Sequence, residues 1–198
     1  MKKIIVSISI LAIGFLAFIN LHNDNNVSKS KIDSKPKDVN FDAKHDNFDS
    51  LSQLEQDSPL IVVGEKISKE KSVIEKAQNG AYKNVYSLSD FKISEIKKNK
   101  LDIPLQELDT ITILENGAFD EETNQMLHIE GYELMKENQK YLLYLKKSTT
   151  KKGIYYPNGV TFGKVPLENN DVELYGELSH VKTIINEAKE HYKNENTN

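Results

Sequence analysis

Two kinds of apolar run interrupt an otherwise polar chain. The first is a single uncharged stretch, Ile4 to Ile19, which follows Met1-Lys2-Lys3. The second kind is short: Leu60-Ile61-Val62-Val63, set between Pro59 and Gly64, and Tyr141-Leu142-Leu143-Tyr144-Leu145. These short runs fall below helical length, and the first is β-branched at three of its four places, so they predict strands buried on both faces. Between them, Val85 to Ile96 alternates, but Tyr86 and Leu88 share one parity and Phe91 and Ile93 the other. A change of phase inside one strand predicts a bulge near Ser89-Asp90. Asp109 to Glu115 alternates cleanly and ends at Asn116-Gly117, a further strand with its turn. Ile154-Tyr155-Tyr156-Pro157 and Val160 to Val165, separated by Asn158-Gly159, read as a last hairpin. Val73 to Gly80 reads as a loop, and Ala118 to Asn138 as an acidic, irregular one with a short edge strand from His128.

Helical spacing is confined to two places in the remainder. Ser50 with Gln53 forms a capping box for one or two turns that Pro59 stops. Near the end, Val181, Ile184, Ile185, Ala188 and Tyr192 make one apolar stripe, predicting an amphipathic helix over 180–193 with Ser179 as its N-cap.

These elements divide the chain into 1–21, a signal-anchor or signal peptide; 22–50, a disordered polar linker; and 51–198, a folded domain. Lysines ahead of an apolar run leave the N-terminus in the cytoplasm, so the domain is expected outside, single-pass through residues 4–19, or secreted if the segment is cleaved. Ala17-Phe18-Ile19 does not offer the small residues that signal cleavage needs, and that favours an uncleaved anchor. The linker is rich in Asn, Asp, Ser and Lys and poor in large apolar side chains, too little to offset the entropy of ordering it.

Composition narrows the chemistry. There is no cysteine, which excludes disulfides, thiol catalysis, cysteine-held metals and a lipoprotein anchor. All 26 positive side chains are lysine, so the planar fork used for phosphate and base-edge recognition is missing. With a net charge of −4 as well, nucleic acid is not an expected partner, and Lys97-Lys98-Asn99-Lys100 reads as a solvated turn.

No catalytic residue is assigned. Of the five histidines, His22 and His45 fall in the linker, and His180 and His191 lie about 16 Å apart along a helix, too far to share a metal. His128, in the acidic loop near Glu121, Glu122 and Glu130, is the one histidine that qualifies as a site candidate. No phosphate loop, nucleophile elbow, zinc-protease or dinucleotide motif occurs, and neither a metal nor another cofactor is expected. Tyr155, Tyr156 and Phe162 cluster near the last turn; alternation sends Tyr155 and Tyr156 to opposite faces, so one of them is a candidate contact for a protein or glycan. The competing reading packs both into the core.

An apolar strand ending in Val63-Gly64, a coiled strand at Phe91 to Lys100, Thr110-Ile-Thr-Ile-Leu114, and Lys140 to Leu145 after a polar turn together resemble a family of exported Gram-positive domains. Those domains are similar to the netrin-like, tissue-inhibitor-of-metalloproteinase fold. The resemblance implies a mainly β domain, a five-stranded OB-like barrel with a C-terminal amphipathic helix, whose loops or open face grip something. Inhibition of proteases is not implied, because the animal inhibitors act through an N-terminal cysteine that this chain lacks. The expected role is therefore non-enzymatic: binding or modulating another envelope protein. The alternatives are a module for cell-wall glycan or a small molecule, and an envelope hydrolase built on the acidic loop and His128.

Overall fold

The computed structural model describes residues 35–168 and 171–196. The apolar segment 1–21 and the linker as far as residue 34 lie outside them. Among the described residues no helix is long and apolar enough to cross a membrane. The fold is mainly β, with a closed five-strand barrel and a C-terminal helix.

The barrel is built from β2 (Leu60–Lys66), β4 (Tyr82–Asn99), β5 (Thr110–Glu115), β8 (Lys140–Lys147) and β9 (Ile154–Pro157). β2 pairs antiparallel with β4 and β8, β4 antiparallel with β5, β5 parallel with β9, and β9 antiparallel with β8, which closes the ring. A five-stranded barrel is what the resemblance implies, and the ring is closed. The interior is filled by alternate residues of each strand: Leu60 and Val62, Phe91 and Ile93, Ile111 and Ile113, Leu143 and Leu145, and Tyr155.

The outward face of β2 and β8 is also covered. Ile61, Val63, Leu142 and Tyr144 pack under α1 (Leu51–Asp57) and α2 (Ser179–Glu195), whose Leu54, Val181, Ile184, Ile185 and Ala188 complete a second core. That two-sided burial is why both strands are continuous apolar runs. Gly64 ends the run for a steric reason: a Cβ there would stand 2.1 Å from the Lys92 carbonyl oxygen.

Several expectations are corrected. β4 keeps one parity inward, with Ser87, Ser89, Phe91 and Ile93 all buried. Its bulges fall opposite Ile61/Val62 and Val63/Gly64, where Lys97 and Ser94 are the extra residues, and not at Ser89-Asp90. The apparent phase change arises because positions 87 and 89 face buried polar partners: Ser87 donates to the Gly117 carbonyl and Ser89 to the Glu115 carboxylate.

Residues expected to loop instead form β3 (Lys71–Lys76), which pairs with the start of β4. The acidic region forms the hairpin β6 (Gly117–Asp120) and β7 (Gln125–Ile129). Val160 to Val165 makes no hairpin with β9. β10 (Lys164–Pro166) instead continues along the same edge of β8, and the loop 158–163 is looped out at Tyr144, which bonds Asn158 and Gly163 on either side.

The disordered linker expected over 22–50 does not extend to residue 50. β1 (Lys37–Phe41) adds in parallel to β7, Phe41 meets Tyr82 edge-on at 5.5 Å, and Phe48 is buried in the second core. Backbone pairing and two aromatic side chains hold a segment whose average composition is too polar to fold by itself. Ser50 caps α1 as expected, accepting from the Gln53 amide at 3.3 Å. Ser179, by contrast, is the first residue of α2, whose N-cap is Leu178 with no side-chain cap bond.

Where β2 ends, the barrel is closed by charge. Lys66, fully buried, donates to Glu115 at 3.0 Å, to Glu70 at 2.7 Å and to the Met135 carbonyl at 2.7 Å. Glu115 also accepts from the Met135 amide and Ser89. Alongside, Lys164 pairs with Glu173 at 3.3 Å and lies 4.7 Å from the Tyr132 ring centre, while Tyr141 donates to Glu173 at 3.0 Å. Burial pushes the Lys164 ammonium below its ordinary pKa, against the pull of Glu173 and Glu115.

Candidate binding cleft

The start of β2, α1, α2 and the last turn of β4 enclose a cleft of about 720 Å³. Its floor is the apolar outer face of the barrel, Ile61, Leu142 and Tyr144, with Ala188 from α2. Burial pushes the Tyr144 hydroxyl well up from its ordinary pKa, helped by Glu55, Glu195 and Glu187, so it stays neutral and can only donate or accept a hydrogen bond.

The walls are charged. Lys97 bonds Glu95 at 2.7 Å and Glu195 at 3.1 Å and sits 5.1 Å from the Tyr192 ring centre. His191 lies 3.7 Å from both Glu55 and Glu195. Lys98 differs from these: its ammonium donates to the Glu55 backbone carbonyl and, among the described residues, has no carboxylate within ion-pair distance. Burial lowers its pKa, and the neighbouring Lys100 lowers it further.

A second cleft of about 450 Å³ adjoins the first and shares Gln56 and Lys100 with it. Tyr156, Leu101, Lys146 and Lys147 line it. Lys146 is neutralised by Asp57 at 2.6 Å and Asp46 at 2.9 Å. The bulge at Lys97 lets neighbouring lysines serve the trough. Without the extra residue, strict alternation would direct Lys98 and Lys100 to the barrel interior, in line with Ile96.

The four residues singled out from the sequence are not brought together. Tyr155 is buried inside the barrel, and burial raises its hydroxyl pKa. Tyr156 points the opposite way, as alternation requires, into the second cleft. Phe162 is buried, meeting Phe48 edge-on at 5.6 Å and His180 at 6.0 Å, and it floors a separate cleft of about 510 Å³ beside His45 and Glu130.

His128 is 4% exposed. Its Nδ1 donates to the Tyr132 carbonyl, its Nε2 faces Asp38 at 3.0 Å, and its ring stacks on Tyr175 at 4.5 Å. It ties β1 to β7. The neighbouring acids are engaged elsewhere: Glu130 reaches Ala43 and His45, and Asp120 reaches Lys76 and Tyr82. Among the described residues, no group of three or more His, Asp or Glu is placed to hold a metal.

The cleft residues Lys97, Lys98, Lys100, Tyr144 and Tyr192 were not singled out from the sequence. The signal was there in part: Lys97 to Lys100 directly continues an alternating run, and Tyr192 closes the α2 stripe at the same end of the molecule. No protein-family model matches the chain, and no curated protein matches it.

Proposed function

We propose that the domain is a non-enzymatic binding module that engages another cell-envelope protein through the joined clefts, held at the outer face of the membrane by the segment at residues 4–19. One observation carries this reading. An apolar floor on the outer face of the barrel is rimmed by lysines, of which Lys98, Lys100 and Lys147 have no carboxylate in ion-pair contact among the described residues. Apolar surface with convergent polar groups in a concave site is the usual form of a recognition surface. Small closed barrels of this kind commonly bind through one strand face and the adjoining loops.

Cross-linking in intact cells tests the reading, with tagged full-length chain compared with a copy carrying only residues 1–34. One envelope protein enriched solely by the full-length chain supports it. Recovery of bulk wall material alone rejects it and favours a second reading, a glycan site centred on Tyr156, whose cleft also presents the polar Gln56, Asp57 and Thr149.

A further inference from the structure

The distribution of charge along the joined clefts goes further and, resting on the binding-module reading, identifies the chemistry of the partner. Lys98, Lys100 and Lys147 have no carboxylate partner among the described residues, whereas Lys97 and Lys146 beside them are each held by two. Lys98 is the telling member. It is partly withdrawn from water next to a like charge, and the chain supplies only a carbonyl oxygen to its ammonium. Glu55 and Asp57 offset this desolvation only from a distance, so a carboxylate placed directly on the ammonium would relieve the remainder.

Carboxylates stand beside these lysines: Lys98 bonds the Glu55 backbone and Lys97 the Glu195 carboxylate. Glu55 and Glu195 stand where α1 and α2 meet, next to the apolar floor of Ile61, Leu142 and Tyr144. A uniform polyanion laid along the trough would meet these carboxylates, and a flat bilayer would not enter a concavity. An extended polypeptide satisfies every part: apolar side chains on the floor, and single carboxylates spaced to meet Lys98, Lys100 and Lys147 without a continuous run of negative charge beside Glu55 and Glu195.

We infer that the joined clefts bind an acidic, extended segment of a partner protein, with alternating apolar and carboxylate side chains, and that Lys98, Lys100 and Lys147 determine its selection.

Fluorescence anisotropy tests this, using the full-length chain in neutral detergent and a labelled peptide of alternating leucine and glutamate. The acidic peptide binds, its affinity falls about tenfold or more when glutamine replaces glutamate, and it weakens as salt rises toward about 0.5 M. The triple variant K98Q/K100Q/K147Q loses binding by a similar factor with an unchanged melting temperature. Lys100→Glu recovers binding to a peptide with lysine in place of the facing glutamates, a gain that misfolding cannot produce. Equal binding of the glutamate and glutamine peptides, or undiminished binding by the triple variant, overturns the inference. So does lysine-dependent binding of poly(glycerol phosphate) or anionic phosphatidylglycerol vesicles when the peptide is inert. If the cellular cross-linking captures one partner and the triple variant captures it equally well, the inference falls while the binding module stands.

Discussion

At one end of β2, Lys66 is fully buried and donates to Glu115, Glu70 and the Met135 carbonyl; about 17 Å along the strand, opposite Ile61, Lys98 donates only to a backbone carbonyl. Both lysines belong to the same small barrel, but carboxylates bond Lys66 directly, whereas Glu55 and Asp57 act on Lys98 only from a distance and do not offset its burial. Around Lys66 and Lys164 the protein supplies glutamates, tyrosines and serines, so their charge closes the barrel and is inaccessible to a ligand. Around Lys98, Lys100 and Lys147 it supplies an open cleft. Burial of charge therefore does not by itself mark a site in this fold. What separates the two ends is whether the compensation is internal.

The largest effect belongs to the compensated end. Glu115→Gln removes one of the two carboxylates on buried Lys66, leaving Glu70 and the Met135 carbonyl, a loss of about 1–3 kcal/mol read as a lower urea midpoint. The paired replacement Lys66→Met with Glu115→Leu does not recover that stability, because it strands the Met135 amide and carbonyl and the Ser89 hydroxyl, which these side chains satisfy. If Glu115→Gln costs no more than Lys147→Gln, the contrast between the two ends fails.

An intermediate case sits beside the β6–β7 hairpin. Burial pushes the Asp120 carboxyl up, but bonds from Lys76, Tyr82 and Thr123 outweigh it and hold the pKa at about 2. A carboxyl depressed in the folded state from an ordinary 3.8 stabilises the fold above that value and loses the contribution as pH falls toward about 2. Acid denaturation should show this as up to about 2 kcal/mol over that window. Asp120→Asn removes that part of the pH dependence, and an unchanged acid profile in the variant would show that the carboxylate is not held as the geometry indicates.

Much of the barrel could be read from residues alone because its strands obey simple patterns. Leu60 to Val63 and Tyr141 to Leu145 are apolar on both faces since a helical layer covers the outside, and Thr110 to Leu114 alternates since one face looks inward. The misreadings share a cause. Ser87 and Ser89 look like outward residues but face Gly117 and Glu115, and Lys37 to Phe41 looks like linker but is held by β7. In both cases a distant partner decides the outcome, and local pattern carries no record of it. The cleft was hidden for the same reason. Tyr156 was visible through alternation, but its neighbours Lys100, Lys147 and Gln56 come from separate elements that only the closed barrel brings together.

The smallest effect tests the uncompensated end most directly. Lys98 is held below its ordinary pKa of 10.5 first by burial and then by Lys100, against the pull of Glu55 and Asp57. For a cation the sign is opposite to that of Asp120: between the lowered folded value and 10.5 the unfolded chain binds more protons, so stability rises with pH through that window. At neutral pH Lys98 is charged in both states and its desolvation weighs against folding. Lys98→Gln should therefore leave neutral stability within about 0.5 kcal/mol or raise it slightly, and should abolish its share of the alkaline rise. Lys100→Gln removes the like charge and should move the Lys98 resonance, followed by NMR of its Nζ, to a higher pKa while burial still keeps it below 10.5. A Lys98 that titrates unchanged in Lys100→Gln would mean the two ammoniums do not share the cleft, and the trough would lose the feature that separates it from the closed end of the barrel.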